Sequence, residues 1–179
     1  MEKLLLSEIA HCLNAECPEE KVITEISTDT RNLPAGCLFI AIKGERFDGH
    51  AFIKQAIENG AAAAVSEYPV DGCPCIVVKN TRTALLKLAK YYRSKFNPVL
   101  VGITGSVGKT TTKEMIALVL SEKYKTLKTQ GNLNNEIGLP KTLFNLDSSY
   151  QAAVIEMGMS DFGEIERLSN TAVPTIGVI

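Results

Sequence analysis

The segment Val99 to Thr111, V-L-V-G-I-T-G-S-V-G-K-T-T, constrains this chain more than any other. An apolar run, Val99 to Ile103, is followed at once by the loop Thr104-Gly105-Ser106-Val107-Gly108, and then by a helical pattern from Lys109 to Leu120. Strand, glycine loop and helix in that order form the context of a phosphate-binding loop. Gly105 and Gly108 let successive N–H groups converge on phosphate oxygens, and the helix that follows aims its positive N-terminal end at the same point. Lys109 adds a mobile positive charge for the terminal phosphates, and the Thr110 hydroxyl is placed to coordinate the magnesium that such loops use to screen a triphosphate. The spacing departs from G-x-x-x-x-G-K-[ST], since Ile103 stands five residues before Gly108. A Gly-Lys-Thr triplet alone is an ordinary glycine turn with an exposed lysine. Preceded by Thr104-Gly105 and flanked by the right elements, it reads as a nucleotide site, with ATP and Mg2+ the expected ligands.

The same half of the chain carries two further buried-type strands, Q-A-A-V-I-E-M from Gln151 and T-I-G-V-I from Thr175, and a polar loop around Gly131. This is the grammar of a mainly parallel sheet covered by helices. Glu156 follows the apolar strand Ala152 to Ile155, and acids at the carboxyl ends of parallel strands face the crevice in which such sheets bind ligands. It is therefore the second candidate for magnesium, the bland alternative being a strand-end carboxylate in water. The last residues, Thr175 to Ile179, form an apolar strand pattern with no polar tail. An unfinished parallel sheet leaves a hydrophobic edge, so this domain is expected to be truncated.

Residues 1–80 alternate short apolar runs, Val22 to Ile26, Cys37 to Ile42, Ala61 to Val65 and Cys75 to Val78, with a helical pattern over Ala51 to Asn59 that stops at Gly60. They predict a small α/β domain. From Thr81, the stripe Ala84, Leu85, Leu88, Ala89 and Tyr92 predicts an amphipathic helix that ends near Asn97-Pro98, with Arg82, Lys87, Lys90, Arg93 and Lys95 as its solvated face. Residues 81–98 are thus expected to connect a first domain, 1–80, to a second, 99–179.

Charge narrows the partners. With 19 basic and 20 acidic residues the net charge is −1, so no overall field draws the chain to nucleic acid or an anionic membrane. Its apolar runs fall far short of the roughly 20 residues that span a bilayer, and acids near the N-terminus argue against a signal peptide. A cytoplasmic location without membrane insertion is expected. The five cysteines, Cys12, Cys17, Cys37, Cys73 and Cys75, lack the spacing of a zinc site or disulfide framework.

Three segments resemble the Mur ligases, which add amino acids to the UDP-N-acetylmuramoyl cell-wall precursor. They are T-G-S-V-G-K-T-T-T-K-E-M from Thr104, T-Q-G-N-L-N-N-E-I-G-L-P from Thr129, and E-M-G-M-S-D-F-G-E-I from Glu156. Within the family they look most like the member that attaches D-alanyl-D-alanine to UDP-N-acetylmuramoyl-tripeptide. Ser27, Thr28, Asp29, Thr30 and Arg31, and the run Lys43 to His50 with Gly44, Asp48, Gly49 and His50, are similar to the family's uridine-nucleotide-binding segments. Taken without the family they are turn residues of a surface loop. The resemblance implies an N-terminal α/β uridine-nucleotide-binding domain followed by the truncated P-loop domain, acting as a monomer.

It also implies ATP-driven ligation through an acyl phosphate that the incoming amine attacks. In it Gly105, Ser106, Val107, Gly108, Lys109, Thr110 and Thr111 cradle ATP, Lys109 and Glu156 serve catalysis, Thr110 and Glu156 hold metal, and Asn135 touches nucleotide or substrate. The family's further magnesium-binding histidine, its carboxylated lysine and its C-terminal domain have no counterpart here, so the chain is expected to bind but not to ligate by itself. Two alternatives stand beside this reading: another ligase, either the sister enzyme that adds the third residue or a folylpolyglutamate type, and a non-enzymatic module whose loop responds to nucleotide.

Overall fold

A computed structural model describes residues 1–44 and 47–179. In chain order the elements are β1 (Leu4–Leu5), α1 (Leu6–Leu13), β2 (Val22–Ile23), β3 (Ile26–Ser27), β4 (Leu38–Ile40), a 3-10 turn (Gly49–Phe52), α2 (Ile53–Glu58), β5 (Ala63–Ser66), β6 (Cys75–Val77), α3 (Thr81–Ser94), β7 (Val99–Ile103), α4 (Lys109–Ser121), β8 (Thr126–Lys128), α5 (Gly138–Leu143), β9 (Ala152–Glu156), α6 (Glu164–Ala172) and β10 (Ile176–Val178). They fall into two compact units, Met1–Leu88 and Ala89–Ile179, with the division inside α3.

In the first unit, β3, β4, β5 and β6 form a parallel sheet in that order. A sheet covered on both faces needs near-continuous apolar strands, and every residue of β4 and β5 is buried. The crossover from β4 to β5 runs through the 3-10 turn and α2, whose Ile53 and Ala56 pack on Cys37, Phe39, Ala41 and Ala64. The Gly60 N–H bonds Ile57 O and the Ala61 N–H bonds Ala56 O, the paired reverse bonds that close a helix. Residues 67–74 join β5 to β6 without a helix, and Val70 and Cys73 from this loop pack against the same core. The apolar run Val22 to Ile26 is not one strand. It divides into β2, antiparallel to β1, and β3, in the larger sheet.

The stripe predicted on α3 is buried at every position, Ala84, Leu85, Leu88, Ala89 and Tyr92. Asn80 starts the helix by accepting the Thr83 N–H on Oδ1 (2.8 Å). One charge on it departs from the solvated face: Arg93 is buried. Its guanidinium donates to the carbonyls of Ala172, Phe96 and Val173 at 2.9–3.3 Å. Two of these carbonyls end α6, where the helix dipole favours a cation.

The second unit holds the parallel sheet β10-β7-β9-β8. From β7 the chain crosses by α4 to β8, beyond the position β9 later fills. From β9 it crosses by α6 to β10, on the far side of β7. The connections leaving β7 and β9 therefore run in opposite directions, and such a reversal opens a crevice at the strands' carboxyl ends. α4 covers one face through Ala117, Ile116 and Leu120 on Val101, Ile103 and Val154. Tyr92 meets Phe96 and Phe144 edge-on and donates its hydroxyl to Leu146 O (2.7 Å). Among the described residues no helix is long and apolar enough to cross a membrane.

Candidate nucleotide and metal site

The candidate phosphate loop sits at the crevice between β7 and β9. Gly105 (φ 142°) and Gly108 (φ 78°) hold backbone conformations that a side chain would strain, which shapes the loop between Ile103 and Lys109. Ser106, Val107 and Gly108 are open to solvent, as are Thr110 and Thr111 in the first turn of α4. Lys109 folds back over the loop and donates from Nζ to Gly105 O (2.6 Å). Its ammonium is thereby parked where a phosphate would draw it off.

Glu156 closes the site from the neighbouring strand. The pairing of Ile103 with Glu156 puts the end of β9 level with the start of the loop, and the Met157 N–H bonds Ile103 O (2.8 Å). The carboxylate is buried and has three partners. Thr110 donates from Oγ1 to Oε2 (3.1 Å), Asn134 donates from Nδ2 to Oε1 (2.9 Å), and Lys113 Nζ lies 3.7 Å from Oε2. Behind it, the Glu156 N–H donates to Thr129 Oγ1 (2.9 Å). A hydroxyl and a carboxylate oxygen facing each other beside a phosphate loop are hard oxygen donors of the kind magnesium prefers. Thr110 and Glu156, assigned from sequence to one ion, are thus hydrogen-bonded partners 46 residues apart.

Asn135 has a different job from its neighbour. Its Oδ1 accepts the N–H groups of Ile137 (3.1 Å) and Gly138 (2.8 Å), which starts α5, while the side chain on Glu156 is that of Asn134. Three residues at this site were not legible in advance: Lys113, Asn134 and Thr129. Lys113 lies one helical turn beyond Lys109, but a helix lysine reads as solvated. Two adjacent asparagines offer no means of choosing between them.

In the first unit, the candidate segments leave the carboxyl ends of adjacent strands. β3 and β4 pair with Ser27 opposite Phe39, so the Ser27–Arg31 turn and the loop beyond Ile40 emerge side by side. Ser27 Oγ accepts the Asp29 N–H (3.1 Å) and donates to Asp29 O (3.0 Å). Arg31 forms a two-pronged pair with Asp29, Nε to Oδ1 at 2.9 Å and Nη2 to Oδ2 at 2.6 Å, which pushes the guanidinium pKa up. Thr28 and Thr30 are half-buried. The Gly44 N–H bonds Phe47 O (2.9 Å), and Glu45 and Arg46 of the same loop lie outside the described residues. Gly49 is a close approach of two chain segments. A Cβ there would lie 2.7 Å from Ile42 O and 2.8 Å from Ile42 N.

His50 is buried and spent on the protein. The Glu67 N–H donates to Nε2 (3.0 Å), so that nitrogen carries no proton and Nδ1–H faces Asp48 Oδ1 (2.5 Å). Tyr68 stacks on the ring at 4.9 Å. Hydrogen bonds from the backbone and ring of His50 hold the Asp48 carboxyl below its ordinary range. The Glu67 carboxylate in turn accepts the Thr81 N–H (3.0 Å) at the start of α3. The imidazole thus braces the loop; of its four candidate residues Gly44 and Asp48 are partly exposed, whereas Gly49 and His50 are buried.

Comparison with known proteins agrees with this geometry. Residues 22–93 match the family described as Mur ligase family, catalytic domain, and residues 103–179 match the Mur ligase middle domain. The UDP-N-acetylmuramoyl-tripeptide--D-alanyl-D-alanine ligase of Synechocystis sp. is 48% identical over 90% of this chain, which spans 36% of that protein's length. A crystal structure of MurF from Acinetobacter baumannii, 36% identical, superposes with a TM-score of 0.93 over 99% of this chain and 41% of its own. The MurF ligase of Thermotoga maritima in complex with ADP, 38% identical, covers 84% of this chain and 35% of its own with a TM-score of 0.78. The two family matches, the second of which contains the glycine loop whose Thr110 meets Glu156, place this chain in the Mur ligase family, with that family's N-terminal and middle regions.

Proposed function

We propose that this chain is the front part of an ATP-dependent ligase that joins D-alanyl-D-alanine to UDP-N-acetylmuramoyl-tripeptide in peptidoglycan precursor synthesis. The observation that carries the reading is the Thr110–Glu156 pair beside Lys109 at the mouth of the phosphate loop. Its support from likeness is the 48% identity to a relative of that name. The first unit grips the uridine diphosphate end of the precursor through Ser27–Arg31 and through Gly44 and Asp48, with Gly49 and His50 shaping that loop from within, and the second holds ATP through Gly105–Thr111. The protein works as a cytoplasmic monomer.

The chemistry follows from charge. Moving a phosphoryl group from ATP to a carboxylate brings anionic oxygens together, so repulsion and alignment limit the step. The loop N–H groups and the N-terminus of α4 fix the phosphates, and Lys109 leaves Gly105 O to neutralise the oxygens that gain charge. Thr110 and Glu156 are the residues that would hold magnesium, whose contribution is to screen the triphosphate. ADP leaves as the acyl phosphate forms, and the dipeptide amine attacks this activated carboxyl and expels inorganic phosphate to leave the amide.

Calorimetric titration with UDP-N-acetylmuramoyl-tripeptide, and separately with ATP and magnesium, tests this reading on the wild type and Lys109→Ala. The variant should lose ATP binding by at least about tenfold, the scale of one charge-assisted contact, and keep its precursor affinity. If ATP binds but no uridine compound does, the role of the first unit is wrong.

A further inference from the structure

Lys113 is a charge that the ligation chemistry leaves without a task. It lies on α4, facing inward, with its side chain 1% exposed. A buried ammonium is stable only when paired, and Lys113 has two carboxylates: Glu114 at 3.1 Å and Glu156 at 3.7 Å. Glu114 is half exposed and is also paired with Lys128. Lys113 and Lys128 together hold the Glu114 carboxyl below its ordinary range. With Glu114 shared between two lysines, the charge that remains for Glu156, itself buried, is that of Lys113.

We infer that Lys113 is a positioning residue that cancels the charge of Glu156, so that the site takes up a divalent cation together with a nucleotide and not before it. This rests on the proposed role of Thr110 and Glu156 as metal ligands. Without nucleotide, a cation approaching Glu156 meets a neutral pair and must displace or tolerate an ammonium held against the same oxygen, Oε2, that Thr110 contacts. With a polyphosphate in the loop, the added negative charge reverses the balance. Asn134, on the other oxygen, keeps the carboxylate aimed in both states. The device guards a buried site against free metal without altering the ligands.

Manganese, detected by its electron paramagnetic resonance, reports the effect on the 179-residue chain. Wild type should bind Mn2+ weakly alone and tightly with ADP. Lys113→Gln should tighten nucleotide-free Mn2+ binding by about tenfold or more, because it removes one unit charge lying 3.7 Å from the candidate ligand oxygen Oε2 in a buried site. Lys113→Arg should behave as wild type. If Lys113→Gln shows no cooperative melting in chelator, Mn2+ alone should restore it, because a ligand that binds only the folded state stabilises that state; failure of Mn2+ to do so overturns the inference. Unchanged nucleotide-free affinity in a folded Lys113→Gln, with ADP-dependent binding intact, overturns it while leaving the ligase reading standing. Absence of Mn2+ binding in wild type even with ADP removes the metal role of Thr110 and Glu156, and the inference with it.

Discussion

Gly49→Ala tests whether the backbone contact that shapes the candidate precursor loop is as tight as its geometry implies. The added methyl carbon would stand 2.7 Å from Ile42 O, 2.8 Å from Ile42 N and 3.1 Å from Ala41 C. All three are backbone atoms, so no side chain can turn aside to make room. The segment must separate by several tenths of an ångström, which stretches the Gly49 N–H bond to Ile42 O, now 3.0 Å. Overpacking of this kind costs about 1–3 kcal/mol, and the weakened backbone bond adds about 1 kcal/mol. For a unit of this size each kcal/mol lowers the melting temperature by roughly 4–8 °C, so the first unit should melt at least about 8 °C lower. Asp48 and His50 flank the displaced residue, so affinity for UDP-N-acetylmuramoyl-tripeptide should fall about tenfold, some 1.4 kcal/mol. Gly72→Ala is the control. It has nothing within 4 Å and only the strain of φ 76°, about 1–2 kcal/mol, and should leave binding unchanged. Scanning calorimetry and titration on the two variants decide the matter. A Gly49→Ala protein that melts within 2 °C (about 0.5 kcal/mol) of wild type with unchanged affinity refutes the steric argument.

Arg93→Met should destabilise the second unit by roughly 2–4 kcal/mol, because it strips the donor from the buried bonds to Ala172 O and Phe96 O and from the part-buried bond to Val173 O; urea unfolding measures it, and a loss under about 0.5 kcal/mol shows that water replaces the guanidinium. Asp48→Asn should flatten the acid limb of the first unit's stability. The folded-state pKa of Asp48 is depressed by the hydrogen bonds from His50, so its contribution is complete above the unfolded value near pH 4 and lost as pH falls through the lower folded value. Melting curves of wild type and variant from pH 6 to pH 2.5 (a range of about 3.5 pH units spanning the carboxylate pKa) should converge at the acid end, and parallel curves throughout would remove His50 as the cause.

How much was legible depended on whether the signal was local. Val99–Ile103 and Thr81–Ser94 carry clear apolar patterns and stand where that spacing put them, whereas Lys109–Ser121 stands where the glycine loop before it put it, its Met115, Leu118 and Val119 being exposed. β8 and α5 are only 3 and 6 residues long, too short for a period to show. α1 carries Leu6, Ile9 and Ala10 at helical spacing, but its eight residues make only about two turns. Arg93 misled for a different reason: a basic residue on an amphipathic helix is usually solvated, and only the arrival of the α6 terminus, about 80 residues later, gives it partners.

The shape of the loop proposed to bind phosphate was determined by sequence alone, because it depends on bonded neighbours: two glycines in unusual conformations, a lysine and a threonine at the start of one helix. The order of the strands decided the rest. Placing β9 between β7 and β8 brings Glu156 to Thr110 across 46 residues and Asn134 to Glu156 across 22. Burial then turns Lys113 from a surface lysine into the counter-charge of that carboxylate. A linear pattern records which face of each element is apolar, but not which charged ends will meet; in a low-dielectric crevice it is those meetings that set how strongly the groups act on one another.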